Sequence, residues 1–135
     1  MIQLQTAGLL HIKDKKLLLA FSRNKQCFYL PGGKVDDGET SATALCREIQ
    51  EELNTLLSPE QLVYYTHITA PAYGELNGII MEQDCYFADI ATLPEPSGEI
   101  DKLHYFSLAD YRQELHQAPG AVMILEKLKE DGYID

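Results

Sequence analysis

The stretch Gly33–Thr55, GKVDDGETSATALCREIQEELNT, decides the fold. It follows Pro31-Gly32, so a ring-locked residue and two glycines close the preceding apolar run Cys27–Leu30. Thr40 offers the side-chain oxygen of a helix N-cap, and Ser41 to Leu53 carry the 3.6-residue period of a helix. Asn54 can take the left-handed conformation that ends it. Ala42, Leu45, Cys46, Ile49, Leu53 and Leu56 share one face of this helix, which predicts a buried stripe. On the adjoining stripe stand Glu48, Glu51 and Glu52, three carboxylates within about 6 Å along the axis. Glu48 and Glu52 are a like-charged i,i+4 pair that destabilises the helix by a few tenths of a kcal/mol, so something should offset it.

Outward from the helix the pattern turns to strands. Leu4 to Ile12 and Lys16 to Phe21 flank the polar Lys13-Asp14-Lys15 and read as a hairpin. Leu62 to Ala70 and Ile79 to Ile90 read as two strands joined by a turn-rich loop over residues 71–78. Leu103 to Phe106 reads as a short strand, with helices expected over Leu108–His116 and Ala121–Glu130 after Pro119-Gly120. Helices interspersed with antiparallel-looking strands predict a mixed sheet covered by helices, in one domain over residues 1–135.

Composition narrows the function. With 11 Lys+Arg against 21 Asp+Glu the net charge is −10, which disfavours binding to long nucleic acid unless bound cations reverse the sign. The acidic excess is concentrated: Asp36, Asp37, Glu39, Glu48, Glu51 and Glu52 fall between Gly33 and Asn54, against Lys34 and Arg47. No apolar run approaches the roughly 20 residues that span a membrane, and no secretory pattern opens the chain. Cys27, Cys46 and Cys85 are odd in number and widely spaced, as expected of reduced thiols in a cytoplasm. The four histidines are equally scattered and show no metal-site spacing.

Three carboxylates on one helical stripe after a glycine turn supply hard oxygen ligands of the kind Mg²⁺ takes. Gly33, five residues, Glu39, seven residues, then Arg47-Glu48-Ile49-Gln50-Glu51-Glu52-Leu53-Asn54-Thr55 resembles the signature of the Nudix hydrolase family, G-x5-E-x7-R-E-U-x-E-E-x-G-U with U aliphatic. Asn54 and Thr55 stand at the two final positions in place of Gly and an aliphatic residue. The resemblance implies an α/β fold, an α/β/α sandwich with a mixed β-sheet. It also implies Mg²⁺-dependent, or Mn²⁺-dependent, hydrolysis of a diphosphate linkage in a nucleoside diphosphate derivative such as a nucleoside triphosphate, oxidised or not, or a nucleotide sugar. A diadenosine polyphosphate or ADP-ribose hydrolase, and a nucleotide-sensing domain without turnover, are the alternatives.

By the same resemblance Glu48, Glu51 and Glu52 are metal ligands with the Gly33 carbonyl, and Glu52 or Glu51 handles the water. Arg47 is expected to pair with Glu51 or Glu39 and hold the carboxylates, with Glu39 organising the turn. Glu99 is the expected loop carboxylate, with Glu82 and Asp101 as rivals, and Arg23 the expected phosphate contact. Phe28, Tyr73 and Tyr105 are the aromatic candidates for stacking on a base. A homodimer is one option for the assembly.

Overall fold

The computed structural model describes residues 2–75, 78–90 and 94–135. Strand β1 (Ile2–Leu10) is followed by β2 (Ile12–Lys13), β3 (Lys16–Ser22), β4 (Cys27–Tyr29) and β5 (Gly32–Lys34). Helix α1 (Ser41–Leu53) precedes β6 (Val63–Pro71), β7 (Ile79–Phe87) and β8 (Ile100–Phe106), and α2 (Leu108–Tyr111) and α3 (Pro119–Glu130) close the order. One sheet runs β5-β1-β7-β6, with β1 and β7 parallel and the outer pairs antiparallel. In the other, β8 lies along one edge of β3 while β2 and β4 share its opposite edge.

Helices cover the sheets from two sides, giving an α/β/α sandwich. Leu45, Ile49 and Leu53 of α1 pack on Ala7, Leu9 and Leu18, while Ile124, Leu125 and Leu128 of α3 belong to a larger cluster with Leu17, Leu19, Phe28, Phe106 and Tyr111. Both ends of α1 follow their local chemistry. The Thr40 hydroxyl accepts from Thr43 N–H at 3.1 Å, and Asn54 adopts φ 52°, ψ 36°. No helix among the described residues is long and apolar enough to cross a membrane.

Four expectations require correction. The strand expected over Leu4–Ile12 breaks at His11, so only β2 forms the hairpin with β3 across Asp14 and Lys15, both at positive φ, and β1 enters the other sheet. Burial of every residue from Thr6 to Leu10 explains this: a strand covered on both faces pairs best in a sheet interior, here with β7. Gly32-Gly33 does more than end a strand, because it forms β5 and lies antiparallel to Thr6–Gly8. The helix expected over Leu108–His116 stops at Tyr111, where the Gln117 amide donates to the Arg112 and Glu114 carbonyls in place of a further turn. Leu56 is 78% exposed, because the chain leaves the helix at Asn54 and the helical period no longer places it.

Candidate active site

The β1–β5 pairing brings the glycine pair directly against α1. Gly32 N–H donates to Glu52 Oε1 at 3.0 Å, and Glu52 is only 6% exposed. Gly33 faces Glu48 so closely that a Cβ added there would stand 2.5 Å from Glu48 Cδ. A side chain at this position would displace the carboxylate. Arg47 braces the group from behind, its Nε and Nη2 each 2.9 Å from a Glu39 oxygen, its Nη1 2.9 Å from Glu48 Oε1, and its Nη2 3.0 Å from the Lys34 carbonyl. The bidentate fork is a geometry that Lys lacks.

The protonation properties follow from these positions. The Arg47 guanidinium, followed by Asp36 N–H, holds Glu39 down to about 2. Burial raises Glu48 above the usual carboxylate range, against the pull of Arg47. Burial, with Glu48, Glu99 and Glu51 adding repulsion, raises Glu52 to about 8 against the single Gly32 N–H that favours its charge.

A glycine, an organising glutamate, an arginine fork and paired glutamates at these spacings are now placed in one arrangement, and residues 3–127 match the model of the NUDIX domain. The chain belongs to the Nudix family. It is 32% identical to an ADP-ribose pyrophosphatase of Methanocaldococcus jannaschii over 109 residues, covering 67% of this chain and 64% of that one. It is 31% identical to a human 8-oxo-dGDP phosphatase over 121 residues, covering 76% of this chain and 37% of that one. The chain therefore spans less than two-thirds of either curated relative. Among solved structures, a MutT Nudix hydrolase of Burkholderia pseudomallei superposes with TM-score 0.77 at 25% identity, covering 95% and 99% of the two chains. A bifunctional NMN adenylyltransferase/ADP ribose pyrophosphatase of Francisella tularensis, solved with AMP and a Mn ion, shares the fold with TM-score 0.70 at 22% identity, over 96% of this chain and 42% of that one.

The Nudix helix borders a cavity of about 290 Å³. Glu48, Glu52, Gly32, Gly33 and Glu99 line one end of it. Glu99 joins from the segment before β8, where its Oε2 accepts from Ser22 Oγ and Asn24 Nδ2, both at 3.1 Å. Glu51 is not part of the lining, since its side chain is 59% exposed and stands 3.6 Å from Arg47 Nη1. Among the described residues no three His, Cys, Asp or Glu side chains converge as a ready metal cluster. The donor chemistry nevertheless fits a hard divalent cation, because Glu48, Glu52 and Glu99 present carboxylates to one cavity and the missing Gly33 Cβ lets the Glu48 carboxylate lie against the glycine backbone.

Tyr73 lines the cavity as expected, but the other aromatic candidates do not. Phe28 is 7% exposed and sits edge-on to Phe21 and Phe106 in the core. Tyr105 packs with the cluster beneath the Nudix helix, on the opposite side of the molecule's sheets from α3. Arg23 also lies outside the lining, 58% exposed and paired with Asp101 at 2.8 Å. Glu82 turns away from the cavity to bond His67 and Thr69. Sequence reasoning missed Lys25 and Lys34, which line the cavity and hold Glu75 between them at 3.8 and 3.9 Å, and it missed the polar floor formed by Thr6 and Gln83. Strand alternation could have put Gln83 and Met81 on one face of β7, yet nothing local says which face meets the cavity.

Proposed function

We propose that this chain is a Mg²⁺- or Mn²⁺-dependent pyrophosphohydrolase that cleaves the diphosphate linkage of a nucleoside diphosphate derivative, releasing a nucleoside monophosphate and a phosphorylated second product. The observation that carries this reading is the convergence of Glu48 and Glu52 on one cavity beside Gly33, where a Cβ would press on the Glu48 carboxylate. A divalent cation held there by Glu48, Glu52 and the Gly33 carbonyl would screen the diphosphate charge and acidify water. Gly32 N–H fixes the Glu52 carboxylate beside the cavity, and in this reading Glu52 takes the proton of the attacking water. Glu48 is steadied by Arg47, and Arg47 is in turn fixed by Glu39. The water oxygen adds to phosphorus as its proton passes to Glu52, and the bridging P–O bond breaks with its electron pair leaving on the departing phosphate; Lys25 and Lys34, which line the same cavity, supply positive charge near it. Three free thiols support a reducing compartment such as the cytoplasm.

The names of the two relatives place ADP-ribose and 8-oxo-dGDP beside nucleoside triphosphates, nucleotide sugars and diadenosine polyphosphates in the test panel. Purified protein with Mg²⁺ or Mn²⁺ should release a nucleoside monophosphate from at least one of them, read by chromatography. Glu52→Gln should lower kcat at least about a hundredfold with the fold intact. Inactivity of the wild type across the panel overturns the activity, and an active Glu52→Gln protein overturns the role given to Glu52.

A further inference from the structure

Five polar or charged residues are buried among the described residues: Thr6, Ser22, Glu52, Thr55 and Gln83. Four are bonded within the protein, Thr6 to the Glu82 carbonyl, Ser22 to Glu99, Thr55 to the Leu53 carbonyl and Glu52 to Gly32 N–H. Gln83 is the exception. It is 7% exposed, its Oε1 meets only the Cys85 thiol at 3.9 Å, and its Nε2 donates to no described atom. No fully buried side-chain nitrogen or oxygen lacks a partner among the described residues, so the Gln83 amide nitrogen must open onto the cavity it lines. Around it the floor is formed by Thr6 and the apolar Leu4, Leu30, Met81 and Ala121. The amide therefore keeps a donor that no described protein atom takes up, facing whatever occupies the cavity.

The neighbouring backbone leaves room for that amide. A Cβ on Gly8 would stand 3.1 Å from Gln83 Cδ and Nε2 and 2.8 Å from Leu30 Cδ1, so glycine in β1 leaves the space the amide occupies. A primary amide presents one donor and one acceptor side by side, the complement of a nucleobase edge with an adjacent acceptor and donor. Tyr73 and the carboxylates Glu48, Glu52 and Glu99 line the same cavity.

We propose that Gln83 is a specificity-determining residue that reads the edge of the nucleobase, so that the substrates are nucleotides gripped by their base rather than non-nucleotide diphosphates or polyphosphates. This rests on reading the cavity as a nucleotide site, and it is tested without turnover. Binding of the four common ribonucleoside 5′-monophosphates and of ribose 5-phosphate is measured by calorimetry in chelator, for the wild type, Gln83→Leu and Gly8→Ala, each first shown by circular dichroism to be folded. In the wild type at least one monophosphate binds more tightly than ribose 5-phosphate. Gln83→Leu reduces that base-dependent advantage roughly tenfold, the worth of one paired amide–base contact, while ribose 5-phosphate binding is unchanged. Gly8→Ala, which crowds the amide without removing it, reduces the advantage in the same direction. Equal affinities of wild type and Gln83→Leu for every monophosphate overturn the inference, as does a wild type that holds no monophosphate more tightly than ribose 5-phosphate. The panel for turnover fails or succeeds separately, so loss of the proposed activity and loss of base reading are told apart.

Discussion

Gly32 and Gly33 are neighbours in sequence, and the structure predicts that the same substitution has opposite consequences at the two. In Gly33→Ala the new Cβ would stand 2.5 Å from Glu48 Cδ, where carbon atoms ordinarily sit about 3.5–4.0 Å apart. The carboxylate must retreat by roughly 1 Å or more, which breaks its 2.9 Å bond to Arg47 Nη1. Losing a charge-assisted hydrogen bond of this kind costs about 1.5–3 kcal/mol. Stiffening of the unfolded chain by Ala returns about 0.4–1 kcal/mol, so the net destabilisation is of order 1 kcal/mol. For a chain of this size that lowers Tm by roughly 3–5 °C. The same 1 Å displacement of a cavity carboxylate should reduce kcat/KM about a hundredfold.

In Gly32→Ala the obstacle is backbone. Gly32 has φ 141°, and its Cβ would fall well inside contact distance of the Ala7 carbonyl oxygen and 3.1 Å from Gly8 Cα, in the strand with which β5 pairs. Backbone strain of about 1–3 kcal/mol adds to an overpacking cost of about 1–3 kcal/mol, and no flexible side chain can yield. Thermal melts and steady-state kinetics on the best substrate separate the two cases: Gly33→Ala melts roughly 3–5 °C below the wild type with kcat/KM down about a hundredfold, whereas Gly32→Ala melts at least about 8 °C lower. A Gly33→Ala protein with wild-type kcat/KM, or melting curves that superpose for the two variants, refutes the reasoning.

Arg47→Lys keeps the charge but cannot reproduce the fork on Glu39 together with the bonds to Glu48 and the Lys34 carbonyl, so kcat should fall about 10–100-fold with a smaller change in KM. Glu52→Gln retains an oxygen for Gly32 N–H while removing a buried charge, so in chelator above neutral pH its Tm should equal or exceed that of the wild type; a markedly lower Tm would show that the carboxylate is structural. His67 is raised above its ordinary value by Asp84 first and Glu82 second, at 2.7 and 2.8 Å. Because the folded state holds that proton more tightly, the contribution is complete below about pH 6.5 and is lost as pH rises through the raised value. The Tm difference between the wild type and His67→Gln should therefore shrink between about pH 6 and pH 8.5, and a constant difference would contradict the pairing.

What could be read from the sequence was local. Thr40 and Asn54 bound the helix by chemistry confined to its ends, and the glutamate spacing puts Glu48 and Glu52 on one stripe whatever surrounds them. What could not be read depends on partners far along the chain. β1 pairs with β7 over nine positions, from Ile2↔Ile79 to Leu10↔Phe87, and no signal in residues 2–10 distinguishes that parallel partner from a hairpin neighbour. Phe28 shows the same limit, since an aromatic in a short strand can face either core or cavity, and the position of α3 and β8 sends it to the core. Lys25, Lys34 and Gln83 come from three strands or loops that meet only in the folded molecule. The expectation that Glu51 shares the site with Glu48 and Glu52 follows from helical spacing, but the helix turns that edge outward past Arg47.

The repulsion expected between Glu48 and Glu52 is answered unequally, and the inequality is informative. Arg47 stands within 4 Å of Asp36, Glu39, Glu48 and Glu51, and so compensates four carboxylates with one cation. Glu52 is outside that set. It is the most buried of the helix's glutamates and receives a single backbone N–H, which is why its proton is held so tightly. A glutamine would accept the same N–H without the burial cost, so packing and hydrogen bonding do not require a carboxylate at this position. A residue that folding alone would replace, set against a cavity that a buried glutamine also lines, is the pattern expected where stability has been given up for chemistry. The acidic excess of the chain thus has two physical meanings: most of its carboxylates are solvated or paired with cationic side chains, while Glu48, Glu52 and Glu99 face the cavity, where a bound cation would reverse the sign of the field.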